Sequence, residues 1–170
     1  MLAPLREDDF LRSYWGRRFF YQPGEASRFT GLVSWVEISE SLASRAHGSR
    51  DGRLILDGAE IPSVPLDEPV QVEAALQQGA MLNINAVDRW FPALRRLAAD
   101  LAFVFRERTQ VNLYASYAYG RGLRPHWDDH EMFVLQVAGK KYWRVYSRTE
   151  HAPLFHDPAE SEQQQLGDPI

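Results

Sequence analysis

Cysteine is missing from all 170 residues of the sequence. Its absence excludes a disulfide framework, thiolate zinc sites and a cysteine nucleophile, and it is consistent with a reducing compartment. Any metal site must therefore use histidine and carboxylate ligands. Such ligands suit iron, manganese or a zinc ion without thiolates.

Long apolar runs are also missing, and the first residues lack the basic start and apolar stretch of a signal peptide. The net charge of −4 provides no general attraction to nucleic acid. We therefore expect a cytoplasmic protein that contacts neither a membrane nor nucleic acid directly. The length suits one domain, and the 45% of hydrophobic residues are enough for a packed core.

The order of the predicted elements indicates an α+β fold, with helices before an antiparallel sheet. Apolar residues at three- and four-residue spacing predict helices near 8–15, 34–45, 70–78 and 88–105. Short strands are predicted at 19–21, 53–56 and 80–85. After Thr109 the apolar period changes to two, which predicts strands at 111–116, 132–138 and 142–146.

Local signals mark the ends of several of these elements. Ser34 and Glu37 form a capping-box pattern at the start of the second predicted helix. The pair Asp57-Gly58 is typical of a tight turn between strands. Gly79 predicts the end of the third helix, and Asp88 is predicted to cap the last one.

The motif His126-Trp127-Asp128 follows a glycine-rich loop, residues 119–122, and precedes a predicted buried strand. Alternate residues of a strand point the same way, with Cα atoms about 6.6 Å apart, so His126 and Asp128 can bind one ion. Such a pair with one distant histidine is the facial triad of non-haem iron, which leaves positions open for a chelating co-substrate and dioxygen. The alternative is a surface histidine hydrogen-bonded to a nearby aspartate.

Three further histidines and one lysine are also candidates for this site. His130 would lie about 13 Å from His126 along a strand, so we place it at the pocket edge rather than among the ligands. His151 and His156 lie in a loop-like segment and are weaker candidates. Lys141 starts the next predicted strand and can pair with the far carboxylate of a dicarboxylate co-substrate.

Several segments in combination resemble the cupin-like JmjC oxygenases, and within them the ribosomal-oxygenase branch. These segments are residues 14–18, 32–35, 82–89, 112–114, 126–128 and 133–146. The resemblance implies a cupin core, a double-stranded β-helix or jelly roll, with N-terminal helices packed on it. It makes the chain one domain, with a helical part at 1–108 and the first part of the barrel, including the metal motif, at 109–170.

By this resemblance, His126 and Asp128 are ligands of Fe(II), for which Mn(II) or another divalent ion can substitute. Lys141 binds the distal carboxylate of the co-substrate 2-oxoglutarate, and Asn112 and Tyr114 line its pocket. The family reaction couples oxidative decarboxylation of 2-oxoglutarate to hydroxylation of a C–H bond. The expected function is therefore a hydroxylase of a protein side chain, with a ribosomal protein as one candidate substrate.

One feature of the family is not found after Asp128, namely a third ligand on a later strand, a histidine that follows a proline-containing turn. We therefore expect the C-terminal part of the family domain to be missing, so that these residues alone bind metal weakly. An open sheet edge would then favour a homodimer. Three alternatives stay open: an inactive cupin-fold module for binding or dimerisation, a small-molecule oxygenase, and a cupin metalloenzyme such as an isomerase that ignores 2-oxoglutarate.

Overall fold

The computed structural model describes residues 2–25, 27–44, 51–117, 123–147 and 167–170. The helices are α1 (Glu7–Ser13), α2 (Trp35–Ser44), α3 (Pro69–Gln77) and α4 (Pro92–Phe105), with a 3-10 turn at Val87–Arg89. The strands are β1 (Gly52–Leu56), β2 (Ala59–Glu60), β3 (Met81–Ile84) and β4 (Leu113–Ala115). The α+β class is confirmed, and no helix in the described ranges is long and apolar enough to cross a membrane.

The four strands form one antiparallel sheet in the order β2-β1-β3-β4. The predicted turn between β1 and β2 is confirmed, because Asp57 and Gly58 have φ angles of 51° and 81°. Two consecutive positive φ angles are the signature of the two-residue turn whose twist matches that of a hairpin. β3 lies inside the sheet, and all four of its residues are buried.

One face of the sheet packs against the helices. Leu54, Leu82 and Ile84 belong to a buried cluster that also contains Leu42 of α2 and Leu76 of α3. Burial of each such side chain contributes about 1.5–3 kcal/mol to folding. Because side chains alternate along a strand, Met81 and Asn83 must lie on the opposite face, which we call the outer face of the sheet.

Two of the three predictions about helix ends are confirmed, and one is wrong. The capping box is confirmed, because Ser34 Oγ accepts from the Glu37 amide at 3.2 Å and Glu37 Oε2 accepts from the Ser34 amide at 2.8 Å. Gly79, at φ 98°, follows α3 as predicted. The prediction for Asp88 is wrong, because α4 begins at Pro92. Asp88 Oδ1 instead accepts from the Val111 amide at 2.9 Å.

The predicted strands at 132–138 and 142–146 are absent from the described part of the chain, so that prediction is wrong. The alternation of faces is nevertheless kept, since Phe133 and Leu135 are half-buried whereas Met132 and Val134 are exposed. A strand is defined by its backbone ladder, and an alternating pattern alone does not supply the neighbouring strand. Gly139, which lies between the two predicted strands, has a φ angle of 67°, which favours glycine.

An aromatic cluster anchors the segment that follows the metal motif. The ring of Phe133 lies 5.6 Å from that of Trp15 and 5.5 Å from that of Phe105, and Trp15 stacks on Phe105 at 4.2 Å. Phe20 joins the cluster through Phe10 at 5.8 Å. The strand predicted at 19–21 is therefore wrong, because Phe20 packs through its ring rather than through a backbone ladder.

Candidate functional site

Lys141 lies over the outer face of the sheet. Its Nζ is 3.8 Å from the sulfur of Met81 and 5.5 Å from the ring centres of both Tyr114 and Trp143. Both rings are within the distance at which an aromatic face attracts a cation. Lys141 was predicted to face the co-substrate pocket, and the structure brings it together with Tyr114, another residue predicted for that pocket.

The ammonium of Lys141 is partly shielded from water although much of its side chain is exposed. This burial lowers the pKa of Lys141 below the ordinary lysine value. Within the described ranges, the salt bridges involve His130 and not Lys141. A partly desolvated cation without a carboxylate partner is well suited to bind an acidic ligand.

Asn112 is fixed by two hydrogen bonds at the entrance to β4. Its Oδ1 accepts from the Ala86 backbone amide at 3.1 Å and from Gln110 Nε2 at 2.8 Å. Asn112 and Tyr114 are alternate residues and both are exposed, whereas Leu113 between them is half-buried. The two side chains therefore share the outer face, as expected for residues that line one pocket.

The imidazole of His126 is hydrogen-bonded to the backbone of a residue two positions earlier. Its Nδ1 lies 2.7 Å from the carbonyl oxygen of Arg124, and since a carbonyl can only accept, Nδ1 must carry the proton. In the neutral ring, Nε2 then has the free lone pair that a metal ion requires. The ring is exposed, so that lone pair is accessible from solvent.

Asp128 is half-buried and has a histidine beside it. Nε2 of His130 lies 4.0 Å from Asp128 Oδ2, and Nδ1 of His130 lies 3.4 Å from Asp129 Oδ1. His130 therefore lies beside the carboxylate of a predicted ligand, and its place at a pocket edge stays a prediction. The donor set of His126 and Asp128, one imidazole and one carboxylate, fits Fe(II) or Mn(II).

Within the ranges that the structure describes, no three histidine or acidic residues are arranged to hold a metal ion. His151, His156 and the glycine-rich loop at 119–122 lie outside those ranges. The convergence of His126 and Asp128 on one ion, in a pocket shared with Lys141, therefore stays a prediction.

The structure adds three residues that sequence reasoning missed. Met81 contacts the ammonium of Lys141, and Gln110 donates to Asn112. Asn83 is fully buried on the outer face, and neither of its side-chain polar atoms has a hydrogen-bond partner among the described residues. The signal for Asn83 was a polar residue inside the apolar run of β3. Buried polar groups without partners are rare and often functional.

The sequence is similar to known proteins over its whole length. Residues 90–169 match the family model of the JmjC domain. The whole chain is 30% identical to the bifunctional lysine-specific demethylase and histidyl-hydroxylase NO66 of Drosophila persimilis and 30% identical to ribosomal oxygenase 1 of Rattus norvegicus. Ribosomal oxygenase 2 of Mus musculus is 34% identical over 55% of this chain.

This chain spans only part of those relatives, 26% of the Drosophila protein, 30% of the rat protein and 20% of the mouse protein. The similarity to the first two nevertheless covers 100% of the chain, including the segments before the matched domain. The resemblance found in the sequence is thus confirmed: residues 90–169 belong to the JmjC domain family, in a chain similar throughout to ribosomal oxygenases.

Proposed function

We propose that this chain forms the co-substrate-binding part of an Fe(II)- and 2-oxoglutarate-dependent oxygenase that hydroxylates a protein side chain. The observation that carries the proposal is the position of Lys141, a partly buried cation above Tyr114 with no carboxylate partner in the described ranges. Such a cation provides a binding point for the distal carboxylate of 2-oxoglutarate.

The metal would be held by His126 Nε2 and the Asp128 carboxylate, with Mn(II) able to replace Fe(II). The hydrogen bond from His126 to the Arg124 carbonyl supports this role, because it fixes the tautomer that leaves Nε2 free. When bound, the metal and 2-oxoglutarate together supply the oxidising chemistry. Asn112 and Tyr114 would line the co-substrate pocket between the metal and Lys141.

The finer features of the proposal follow the family. We propose a double-stranded β-helix core, one domain divided near residue 108, and a cytoplasmic protein that needs no membrane or nucleic acid. The substrate would be a protein, with a ribosomal protein as a candidate, which the names of the relatives support. A second copy of the chain is a candidate partner, because edge strands favour pairing.

A second candidate function is a cupin-fold binding module without catalysis. It is favoured by one observation, the lack of a three-residue metal site in the described ranges. The two functions differ in metal binding, since a binding module has no need of His126 and Asp128 as ligands. Metal titration of variants at His126 and Asp128 separates the two functions.

The test of the main proposal is binding of 2-oxoglutarate to the chain and to Lys141→Ala, measured by calorimetry with Mn(II) present. A hydrogen bond between charged groups is worth enough to predict about 10- to 100-fold weaker binding in the variant. Lys140→Ala is the matched control, because Lys140 is the exposed neighbour. Equal affinities for Lys141→Ala and the unaltered chain would refute the role of Lys141.

A further inference from the structure

We propose that Gln110 is a positioning residue, which holds Asn112 so that the amide nitrogen of Asn112, and not its oxygen, is offered to the co-substrate. The role in binding rests on the proposed function, whereas the role in orienting Asn112 rests on geometry alone. Gln110 belongs neither to the metal motif nor to the residues implied by the family resemblance.

The orientation of the Asn112 amide follows from its two partners. The backbone amide of Ala86 can only donate, so the Asn112 atom that faces it at 3.1 Å must be the oxygen. The reversed amide would place two donors against each other. Gln110 Nε2 donates to the same oxygen at 2.8 Å, which occupies its second lone pair. The nitrogen of Asn112 is then the polar atom left for a ligand.

The first of these partners is held by the backbone. Ala86 has a φ angle of 52°, in the left-handed region that non-glycine residues rarely adopt. The turn that contains Ala86 is hydrogen-bonded to the segment just before β4, because the Val87 amide donates to the Val111 carbonyl at 2.8 Å. In return, the Val111 amide donates to Asp88 Oδ1 at 2.9 Å. The Ala86 amide is therefore a fixed donor.

The second partner is an exposed side chain. Gln110 is exposed, and it lines a cavity of about 300 Å³ together with Arg89, Arg108 and Thr109. Its side chain is free to be replaced without disturbing the buried core. Gln110 is thus the adjustable member of the pair that orients Asn112, and its chemistry decides whether the nitrogen of Asn112 stays available to an oxygen of the ligand.

The proposal separates substitutions by hydrogen-bond polarity rather than by size. In Gln110→Lys, the lysine ammonium still donates a hydrogen bond to the oxygen of Asn112. In Gln110→Met, the side chain neither donates to that oxygen nor accepts from the nitrogen. In Gln110→Glu, the carboxylate is an acceptor and attracts the nitrogen of Asn112 instead. The ligand-free measurement is amide hydrogen exchange at Ala86, followed by NMR. We expect protection to be kept in Gln110→Lys, reduced in Gln110→Met and lowest in Gln110→Glu, by about three- to tenfold.

The second measurement is the affinity for 2-oxoglutarate with Mn(II) present, for which we expect the same ranking. The charge controls are Gln71→Glu and Gln71→Lys, because Gln71 is exposed on α3. Circular dichroism checks that every variant is folded. Equal Ala86 protection in the three Gln110 variants would overturn the proposal, as would a changed protection with unchanged affinity. If the unaltered chain bound no 2-oxoglutarate, the proposed function would fail, and exchange at Ala86 would decide the orienting role by itself.

Discussion

Asn83 of β3 lies directly opposite Tyr114 of β4 in the register of the sheet, and its carboxamide is completely buried. Neither Oδ1 nor Nδ2 of Asn83 is hydrogen-bonded to any residue that the structure describes. A buried polar group without a partner destabilises the folded state by about 1–3 kcal/mol. Asn83 therefore weakens the very strand that carries Met81, the contact of Lys141.

We expect Asn83→Val to stabilise the protein by about 1–2 kcal/mol, because valine removes the unpaired polar atoms and suits a strand. For a chain of this size the melting temperature should rise by about 2–4 °C per kcal/mol. The control is Asn85→Val, since Asn85 follows β3 and is only half-buried. A lower melting temperature for Asn83→Val than for the control would contradict this account.

Because of Lys141, the stability of the protein should change with pH in the alkaline range. Burial lowers its pKa in the folded state, whereas the unfolded chain keeps the ordinary value. Between these two pKa values the unfolded state binds more protons, so the contribution of Lys141 to stability rises as the pH increases through that window. Below the window the cost of burying the charge is fully present.

The measurement is urea unfolding of the unaltered chain and of Lys141→Met between neutral pH and about pH 10.5, the ordinary lysine pKa. We expect the free energy of unfolding of the unaltered chain to increase relative to that of the variant as the pH rises. Lys140→Met, which changes the exposed neighbour, is the control. A difference between the chain and Lys141→Met that stayed constant with pH would show that the ammonium is fully hydrated.

Arg106 ends α4 in a conformation that favours glycine. Its φ angle is 55°, and the side chain is exposed. Glycine has no Cβ and adopts this left-handed conformation without strain. We expect Arg106→Gly to stabilise the protein by about 0.5–1 kcal/mol, measured by thermal unfolding. Arg108→Gly should give no such gain, because Arg108 is exposed outside the helix end and glycine there only adds freedom to the unfolded chain.

Local signals in the sequence predicted local structure well. The capping box at Ser34 and Glu37 and the turn at Asp57-Gly58 depend on residues within a few positions of each other, so the sequence contains the whole cause. Asp88 was misread because its partner, the Val111 amide, is 23 positions away. A carboxylate before a helix and one that binds a distant strand look alike in a sequence.

The same distinction between local and long-range features applies to the candidate site. The spacing of His126 and Asp128 is a local feature, because the two residues lie only two positions apart in the sequence. The contacts of Lys141 with Met81 and of Gln110 with Asn112 need the register of the sheet or the course of a loop. The sequence predicted a buried strand at 132–138, but it could not provide the backbone partners, and these side chains are half-buried or exposed in the structure. Long-range pairing is the part that the sequence leaves open.

The last prediction concerns the metal. An imidazole and a carboxylate leave most coordination positions to water, so we expect the chain to bind Mn(II) weakly and to lose that binding in His126→Ala or Asp128→Ala. Binding is measured by titration followed by electron paramagnetic resonance, in which free Mn(II) is observed directly. Asp129→Ala is the control and should stay within about twofold of the unaltered chain, since a neighbouring charge acts only at a distance.

The remaining histidines decide whether the metal site has a third ligand in this chain. His130→Ala should weaken Mn(II) binding only modestly, because Nε2 of His130 lies 4.0 Å from the Asp128 carboxylate, beyond hydrogen-bonding distance. His151→Ala and His156→Ala should have no effect. Tight binding by the unaltered chain, lost on replacing one of these three histidines, would make that histidine the third ligand. Binding that ignored both His126 and Asp128 would instead favour the module without catalysis.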